Sequence, residues 1–222
     1  MTDLSKPPRP EVILFDWDGT LADSFALLFA AYNHVADHFE MPHFTQEQVI
    51  LNTRRSSRDI FPELFGERAA EASDVFYAYI REHQLSHLNP KAGAEALLKE
   101  LSDAGLKMAI VSNMHHGMLV QSVEKLGWDM YFPVVLGAGQ AVRDKPAPDP
   151  LLLACEKLGA NPQHHPIWYI GDTETDMMAA RDAGVIPVLI GHGARTISDC
   201  ERVGIRPYFT KNFTELISTF EK

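Results

Sequence analysis

The pattern of apolar and polar positions predicts strands that alternate with helices along most of the chain. Short uninterrupted apolar runs, typical of strands buried on both faces, occur at five places. These runs are Val12–Phe15, Met108–Val111, Pro133–Leu136, Ile167–Ile170 and Val185–Ile190. Between most of them, apolar residues recur at spacings of three and four, which indicates amphipathic helices. This alternation predicts parallel βαβ units in a doubly wound α/β sheet.

Capping residues and glycines mark the ends of the predicted helices. Thr45 with Gln48 resembles a capping box. Asp149 before Pro150 predicts a capped helix start, and that helix ends at Gly159. Apolar residues at helical spacing cover 25–39, 58–65, 67–87, 94–101, 119–126, 150–158, 173–183 and 213–220.

One long segment after the first strand interrupts the alternation. From Ser24 to about Leu88 helical patterns follow one another, and no strand is indicated. We interpret residues 23–89 as an all-helical insert, or cap domain, and residues 11–22 and 90–222 as the α/β core. The first ten residues contain three prolines and are predicted to be a flexible lead-in.

Composition and charge narrow the function. The chain has 222 residues, of which 45% are apolar, and its 20 basic and 30 acidic residues give a net charge of −10. This balance argues against nucleic acid, which needs clustered Lys and Arg, but allows a small anionic ligand. No run is long enough to cross a membrane, and Met1–Pro10 lacks the apolar segment of a signal peptide. Cys155 and Cys200 show neither metal-ligand nor disulfide spacing, so we expect a cytoplasmic protein with reduced thiols.

The densest candidate chemistry follows the first strand, in Asp16-Trp17-Asp18-Gly19-Thr20. Open α/β sheets bind ligands outside the carboxyl ends of their strands. Two carboxylates at such a place are costly unless a cation or a proton relieves their repulsion. The motif therefore predicts a metal ion, a shared proton, or both.

Three further polar groups follow later strands: Ser112-Asn113, Lys145, and Asp172 with Asp176. Each alone has a simpler explanation, as a helix cap, a surface lysine or an acid near a helix N-terminus. Because the strand ends of a doubly wound sheet face one crevice, we expect the groups to converge there. Carboxylates suit Mg²⁺, and the lysine with small polar donors suits phosphate. One carboxylate could attack phosphorus while a second transfers protons.

In order and spacing, these groups resemble the four motifs of the haloacid dehalogenase superfamily of phosphohydrolases. The matched segments are Asp16–Leu21, Ser112-Asn113, Lys145–Pro148 and Gly171–Asp176. The joint match is highly specific, whereas any single segment is not. The strand and helix pattern extends the resemblance to nearly the whole chain.

The resemblance implies a role for each residue of the first motif. Asp16 would be the nucleophile and a ligand of Mg²⁺. Asp18 would be the general acid and base, and its backbone carbonyl would be a second ligand. Gly19 and Thr20 would turn the chain beside the bound phosphate and orient Asp18.

The later motifs receive roles from the same resemblance. Ser112 and Asn113 would bind phosphate, and Lys145 would neutralise charge between the aspartate and the phosphoryl group. Asp172 would be the third protein ligand of Mg²⁺. Asp176 would be a further carboxylate at the metal, acting directly, through water or behind another ligand.

The helical insert is similar to the cap of phosphoglycolate phosphatases and β-phosphoglucomutases, which closes over the crevice and reads the leaving group. Arg54, Arg55 and Arg58 cluster where that branch has its specificity loop, although the usual glycine of the loop is missing. Our hypothesis is that at least one of these arginines grips a carboxylate or second phosphate of the substrate. The alternative is a solvated basic turn.

The leading function is therefore an Mg²⁺-dependent phosphatase that acts on a small phosphorylated metabolite, with phosphoglycolate as the family default. We expect a monomer or a homodimer without membrane or nucleic-acid partners. A phosphosugar mutase is the close alternative, since the motifs do not separate the two reactions. A catalytically inactive relative that serves as an interaction module is less favoured, because every residue that the reaction needs is present. A response-regulator receiver domain is also less favoured, because such domains are much shorter and have no helical insert after the first strand.

Overall fold

The computed structural model of the protein describes residues 7–191 and 194–218, with the backbone alone at 194 and 195. Six parallel strands form one sheet with helices on both faces, so the predicted fold class is confirmed. The strands are β1 (Val12–Phe15), β2 (Lys107–His115), β3 (Val134–Ala138), β4 (Ile167–Gly171), β5 (Ile186–Ile190) and β6 (Tyr208–Thr210).

The strand order is β3-β2-β1-β4-β5-β6, and the sheet has its reversal point between β1 and β4. Phe15 pairs there with Ile170 in parallel register. Ligands of doubly wound sheets bind where the order reverses, outside the carboxyl ends of the strands. The end of β1 that carries Asp16 lies at this point.

Successive residues of β1 point to opposite faces of the sheet and enter two separate cores. Ile13 and Phe15 belong to one buried cluster, whereas Val12 and Leu14 belong to the other. All four are at most 3% exposed, which explains the continuous apolar run in the sequence. A strand buried on both sides has little freedom to slip in register.

Ten α-helices lie in the described residues. They are α1 (Phe25–His38), α2 (Gln46–Asn52), α3 (Ser57–Phe65), α4 (Ala69–His83), α5 (Ala94–Asp103), α6 (His116–Lys125), α7 (Asp149–Leu158), α8 (Glu174–Ala183), α9 (Ala194–Arg202) and α10 (Phe213–Ile217). The predicted capping box at Thr45 and Gln48 opens α2. In the described part of the chain, no helix has the length and apolar character needed to cross a membrane.

The helical insert is built around a third hydrophobic cluster, to which Met118 of α6 also contributes. Residues 24–88 are all described and form α1 to α4 without any strand. Tyr32 packs edge-on against Phe44, Phe61 and Phe76, with ring centroids 5.2–5.9 Å apart. Such aromatic pairs contribute about 0.5–1.5 kcal/mol each beyond the area they bury.

The two segments that connect the insert to the sheet run side by side. The amide of Asp23 donates to the carbonyl of Asn89 at 2.8 Å, and the amide of Lys91 donates to the carbonyl of Leu21 at 2.8 Å. The chain therefore leaves and re-enters the α/β part at one place, next to the end of β1. The division into domains at residues 23 and 89 stays a prediction.

The sequence pattern missed two elements near the C-terminal end. Strand β6 has three residues, too few to form a recognisable apolar run, and it pairs with β5. Helix α9 buries Cys200, but most of its nine residues are polar, so no stripe at helical spacing is evident. The predicted last helix ends at Ile217, and residues 219–222 lie outside the described residues.

Two local predictions were wrong. Helix α7 already includes Asp149, with Pro148 at the capping position, because the Asp149 carboxylate pairs with Arg143 at 2.8 Å rather than capping the helix. The lead-in is held against the sheet at Pro8, since Trp168 Nε1 donates to the carbonyl of Pro8 at 3.0 Å. Residues 1–6 of that segment lie outside the described residues.

Candidate active site

The polar groups at the strand ends meet in a single cavity of about 760 Å³ between the sheet and the helical insert. Asp16 follows β1, Ser112 lies in the last part of β2, and Asp172 follows β4. Lys145 is brought in by the loop after β3. All four residues line the cavity, so the structure brings together the side chains that the strand pattern placed at one edge.

Lys145 lies at the centre of the site and is 3% exposed. Its Nζ donates to Asp16 Oδ1 at 2.6 Å, to Asp176 Oδ1 at 2.6 Å and to the Tyr169 hydroxyl at 2.7 Å. These three acceptors match the three N–H donors of an ammonium group. Burial opposes the charged form, but the two carboxylates outweigh it and raise the pKa of Lys145. The lysine is therefore a fixed cation.

The two carboxylates that share Lys145 differ in how well their charge is supported. Burial raises the pKa of Asp16 well above its usual range, with Asp176 and Asp172 adding to the rise and Lys145 opposing it. Burial also opposes the charge of Asp176, yet Lys145 and Thr173 hold the pKa of Asp176 below its usual value. Asp16 is thus the carboxylate whose charged form needs a further cation.

Asp176 is held rigidly by the start of α8. The amide and the hydroxyl of Thr173 donate to Asp176 Oδ2 at 3.0 and 2.6 Å, and the Thr173 hydroxyl accepts from the Asp176 amide in return. This reciprocal capping box satisfies helix N-terminal donors. Gly171 permits the approach, because a Cβ there would lie 2.5 Å from Asp176 Cβ. Asp176 is therefore an acid at a helix N-terminus, as the simpler explanation proposed, and this capping interaction also fixes its position in the site.

Gly19 and Thr20 contact Asp172 rather than Asp18. Thr20 Oγ1 donates to Asp172 Oδ1 at 3.2 Å. Gly19 has a φ of +81°, and a Cβ at this position would lie 2.3 Å from Asp172 Oδ2. Gly19 lines the cavity, whereas Thr20 is 1% exposed and lies behind it. The structure thus gives Thr20 a positioning contact with Asp172.

Asp18 is separate from this cluster. Its carboxylate accepts a hydrogen bond from the hydroxyl of Ser24, at the start of the insert. Burial raises the pKa of Asp18, and the hydrogen bond from Ser24 opposes that rise. A raised pKa favours a carboxyl that can hold a proton and donate it, and Asp18 lines the cavity where it could do so.

The remaining carboxylates fit a divalent cation. Asp16, Asp172 and Asp176 each offer an oxygen, and these oxygens all lie within 4.8 Å of one another. Their exposures are 5%, 8% and 1%. Three buried carboxylates beside one lysine carry excess negative charge, and oxygen donors of this kind suit Mg²⁺. Asp18 contributes no carboxylate to this group, and the proposed contact through its backbone carbonyl stays a prediction.

The two residues of the predicted phosphate-binding pair, Ser112 and Asn113, make different kinds of contact. Ser112 Oγ accepts from the amide of Met114 at 3.1 Å, which leaves its own proton for a ligand in the cavity. The Asn113 carboxamide instead bonds the backbone of Lys145, accepting from its amide at 3.1 Å and donating to its carbonyl at 3.0 Å. Asn113 therefore anchors the residue that carries the central cation.

Arg54 crosses from the insert to the α/β part. Its guanidinium forms ion pairs with Glu174 at the start of α8 and with Asp199 of α9, the second at 3.5 Å. The Arg54 side chain is 18% exposed and lines the cavity. Its charge is already matched by two carboxylates of the protein.

The other two arginines of the cluster are also paired. Arg55 makes a bidentate contact with Glu63 at 2.7 and 2.9 Å, and it lines the cavity. Arg58 Nη2 lies 3.3 Å from Asp144 Oδ2, and Arg58 is not part of the cavity lining. That one of the three arginines grips the substrate stays a prediction.

Tyr169 is a site residue that the sequence pattern did not single out. Besides accepting from Lys145, its buried hydroxyl donates to the carbonyl of Val111 at 2.8 Å or to Asp176 at 3.1 Å. A tyrosine in the middle of an otherwise apolar parallel strand was the available signal, since a buried hydroxyl needs a partner. Tyr169 also lies two residues before Gly171, at the start of the motif that contains Asp172, which indicated that it is near the candidate active site.

Comparison with known proteins identifies the family. The family model for haloacid dehalogenase-like hydrolases matches residues 13–190. A phosphoglycolate phosphatase from Xanthomonas campestris is 30% identical over 194 residues, covering 86% of this chain and 87% of that protein. The pyrophosphatase PpaX from Bacillus velezensis is 28% identical over 196 residues, covering 87% and 90%. A haloacid dehalogenase-like family hydrolase from Streptococcus pneumoniae shares the fold, with a TM-score of 0.81 at 20% identity over 95% of this chain and 99% of that one.

The chain belongs to the haloacid dehalogenase-like hydrolase family. The resemblance inferred from the four motifs is confirmed, since the matched region contains all of them. The predicted enzyme class, a phosphatase, is confirmed by the same family match together with the named relatives.

Proposed function

We propose that the protein is an Mg²⁺-dependent phosphatase that hydrolyses a small phosphate monoester through a phosphoaspartate at Asp16. The observation that carries this proposal is the buried Lys145, bonded at 2.6 Å to Asp16 within a carboxylate cluster that opens into a cavity. The named relatives, a phosphoglycolate phosphatase and a pyrophosphatase, support hydrolysis at phosphorus.

In the first step a carboxylate oxygen of Asp16 attacks phosphorus and the bond to the leaving oxygen breaks. Asp18, whose pKa is raised by burial, gives its proton to that leaving oxygen. In the second step Asp18 takes a proton from water, and the resulting hydroxide attacks phosphorus. Inorganic phosphate leaves, and the Asp16 carboxylate is regenerated.

The rest of the site balances charge around these two acids. Lys145 stays bonded to Asp16 and Asp176 and adds its positive charge beside the transferred group. Mg²⁺, held by Asp16, Asp172 and Asp176, would supply positive charge that offsets both the carboxylates and the phosphate oxygens. The Ser112 hydroxyl donates a hydrogen bond to a phosphate oxygen. The insert covers the cavity and limits the entry of water.

The test is phosphate release from para-nitrophenyl phosphate and a panel of phosphorylated metabolites, with Mg²⁺ and with a chelator. We expect steady release that requires Mg²⁺ and is lost in Asp16→Asn, but not in Asp129→Asn, the same change at an exposed position. Acid quenching during turnover followed by peptide mass analysis should find one phosphoryl group on the Asp16 peptide. Activity that survives Asp16→Asn would overturn the proposed route.

The same panel separates hydrolysis from transfer. An isomerised sugar phosphate formed without release of inorganic phosphate would replace the phosphatase by the mutase alternative. The cytoplasmic location and the monomeric or homodimeric state stay predictions.

A further inference from the structure

A large part of the cavity wall that the helical insert provides is apolar, next to the paired Arg54 and Arg55. Phe25, Leu28 and Tyr32 follow one another at spacings of three and four, so they lie on one face of α1. Residues of α2, α4 and the β2–α6 junction extend this surface. We define the apolar wall as Phe25, Leu28, Tyr32, Ile50, Phe76, Ile80, Met114 and Met118.

The most deeply buried part of the apolar wall includes two aromatic rings. Tyr32 and Phe76 are 2% and 6% exposed, and their rings pack edge to face with centroids 5.2 Å apart. Tyr32 also lines the cavity, so its hydroxyl is the polar group that this part of the wall offers to a ligand. A tyrosine hydroxyl can donate one hydrogen bond, and an acceptor on the ligand would receive it here.

The two arginines of the insert that line the cavity are unsuited to hold a small acid next to this wall. Arg54 is neutralised by Glu174 and Asp199, and Arg55 by Glu63. A carboxylate placed on the insert side would therefore displace existing ion pairs or lie against apolar side chains, and both cost free energy. The apolar wall instead favours an uncharged organic group.

The size of the cavity agrees with a bulky ligand. A volume of about 760 Å³ lies in the range of sites that enclose ligands of drug size. Such sites are lined mainly by apolar and aromatic side chains with a few polar groups that set orientation. A phosphoryl group on a two-carbon acid would leave most of this space, and all of the apolar wall, without contacts.

We propose that the substrate is a phosphate monoester whose organic part is a bulky apolar group, aromatic or aliphatic, with at most one hydrogen-bond acceptor placed to meet Tyr32. The phosphate lies at the carboxylate cluster, and the organic group fills the space against the apolar wall. The inference rests on the proposed phosphatase reaction, and it places the specificity in the apolar wall rather than in the arginine cluster.

The first experiment is a homologous series of alkyl phosphates from methyl to octyl, with phenyl and naphthyl phosphate, phosphoglycolate and pyrophosphate alongside. We expect kcat/KM to rise about fourfold for each added methylene until the cavity is filled. Naphthyl phosphate should exceed phosphoglycolate. A flat series, with phosphoglycolate or pyrophosphate as the best substrate, would overturn the inference.

The second experiment uses a matched pair on α2. Ile50 and Leu51 are neighbours with exposures of 46% and 48%, but only Ile50 lines the cavity. Ile50→Lys should lower kcat/KM for the best apolar ester by about tenfold, because the ammonium group is desolvated by an apolar ligand. Leu51→Lys should change it by less than about twofold, as expected for an exposed site. Equal effects of the two changes would contradict the inference.

Para-nitrophenyl phosphate distinguishes this inference from the proposed function. If this activated ester is hydrolysed with Mg²⁺ while the alkyl series is flat, the phosphatase proposal stands and the apolar-substrate inference fails. If no ester in the set releases phosphate, the phosphatase proposal fails and the inference fails with it.

Discussion

The two walls of the cavity differ in how they are built. The sheet side presents buried charges from distant parts of the chain that are joined by hydrogen bonds, as Lys145 is to Asp16 and Asp176. The insert side, next to the paired Arg54 and Arg55, presents mainly aromatic and aliphatic side chains such as Tyr32 and Phe76.

This contrast separates reaction from recognition. A network of charge-assisted hydrogen bonds tolerates little displacement, so a change on the sheet side should affect every substrate alike. Apolar contacts are non-directional, so a change on the insert side should re-rank substrates and leave the common chemistry intact. The following predictions test that separation.

The largest expected effect is that of Asp18→Asn. The rate of the first turnover of an alkyl phosphate should fall about 10²- to 10⁴-fold, because the leaving oxygen loses its proton donor. With para-nitrophenyl phosphate the loss should be much smaller, since that oxygen departs without a proton. Rapid-quench measurement of the released alcohol provides the comparison. Equal losses for both esters would remove Asp18 from the role of acid.

Tyr169→Phe should lower kcat about 10- to 100-fold, as is typical when a residue that orients a site residue is lost. Lys145 would lose one of its three acceptors, so the loss should be similar for alkyl and aryl esters. Tyr208→Phe, in the neighbouring region of the sheet and packed on Trp168, is the control and should be near wild type. If the loss of kcat varied strongly with the organic group of the ester, the proposal that the sheet side affects every substrate alike would be wrong.

Mg²⁺ should raise the melting temperature of chelator-treated protein by roughly 5–10 °C at a hundredfold excess over its Kd.

The metal-free protein should also show a pH dependence. Because the pKa of Asp16 is raised in the folded state, the folded protein binds the carboxyl proton of Asp16 more tightly than the unfolded chain does. Without metal, stability should therefore fall as pH rises from the ordinary aspartate value through the raised one. The Mg²⁺ effect should grow over the same range.

Asp172→Asn is the companion variant in that melting experiment. It removes one of the three clustered carboxylates, so most of the Mg²⁺-dependent shift should disappear. Asp129→Asn, at an exposed position, should keep the full shift. An undiminished shift in Asp172→Asn would place the metal elsewhere.

The smallest effects concern the arginines that follow α2. Arg54→Ala should cost about 1–3 kcal/mol of unfolding free energy, because it removes a cation from the mostly buried Glu174 and leaves Asp199 with Arg202 alone. Arg55→Ala should cost under about 0.5 kcal/mol, because the Arg55 pair with Glu63 is solvent-exposed. Denaturant unfolding of the two variants gives the values.

The same two variants test the hypothesis of substrate contact. If kcat/KM across the ester panel is unchanged in both of them, Arg54 and Arg55 do not contact substrate. A selective loss for substrates with a second anionic group would support the hypothesis. That outcome would also assign part of the recognition to polar contacts on the insert side.

The strand-end motifs were predictable because the physics that places them is local. An apolar run such as Val12–Phe15 is a buried strand wherever it lies in a parallel sheet, and the next residue then stands at its carboxyl end. Parallel pairing brings all such ends to one edge. The convergence of Asp16, Ser112 and Asp172 follows from this rule, without knowledge of any contact.

The contacts of the polar residues were less accessible from the sequence. Asn113 bonds the backbone of Lys145, 32 residues away, and Arg54 meets Glu174, 120 residues away. Such pairs depend on loop paths, and short polar segments do not encode a unique path. Tyr169 was overlooked for a related reason, because strand periodicity describes which face a side chain occupies and not which partner its hydroxyl meets.

The sequence by itself determined the class of fold, the order of the strand ends and the chemistry gathered there, since each depends on local periodicity and on parallel pairing. Only the tertiary structure decided what the apolar face of α1 does. Helical spacing identifies a stripe such as Phe25, Leu28 and Tyr32, but it does not tell whether protein or a ligand covers that stripe. That answer depends on how the insert is set against the sheet, because the cavity exists only where the two meet.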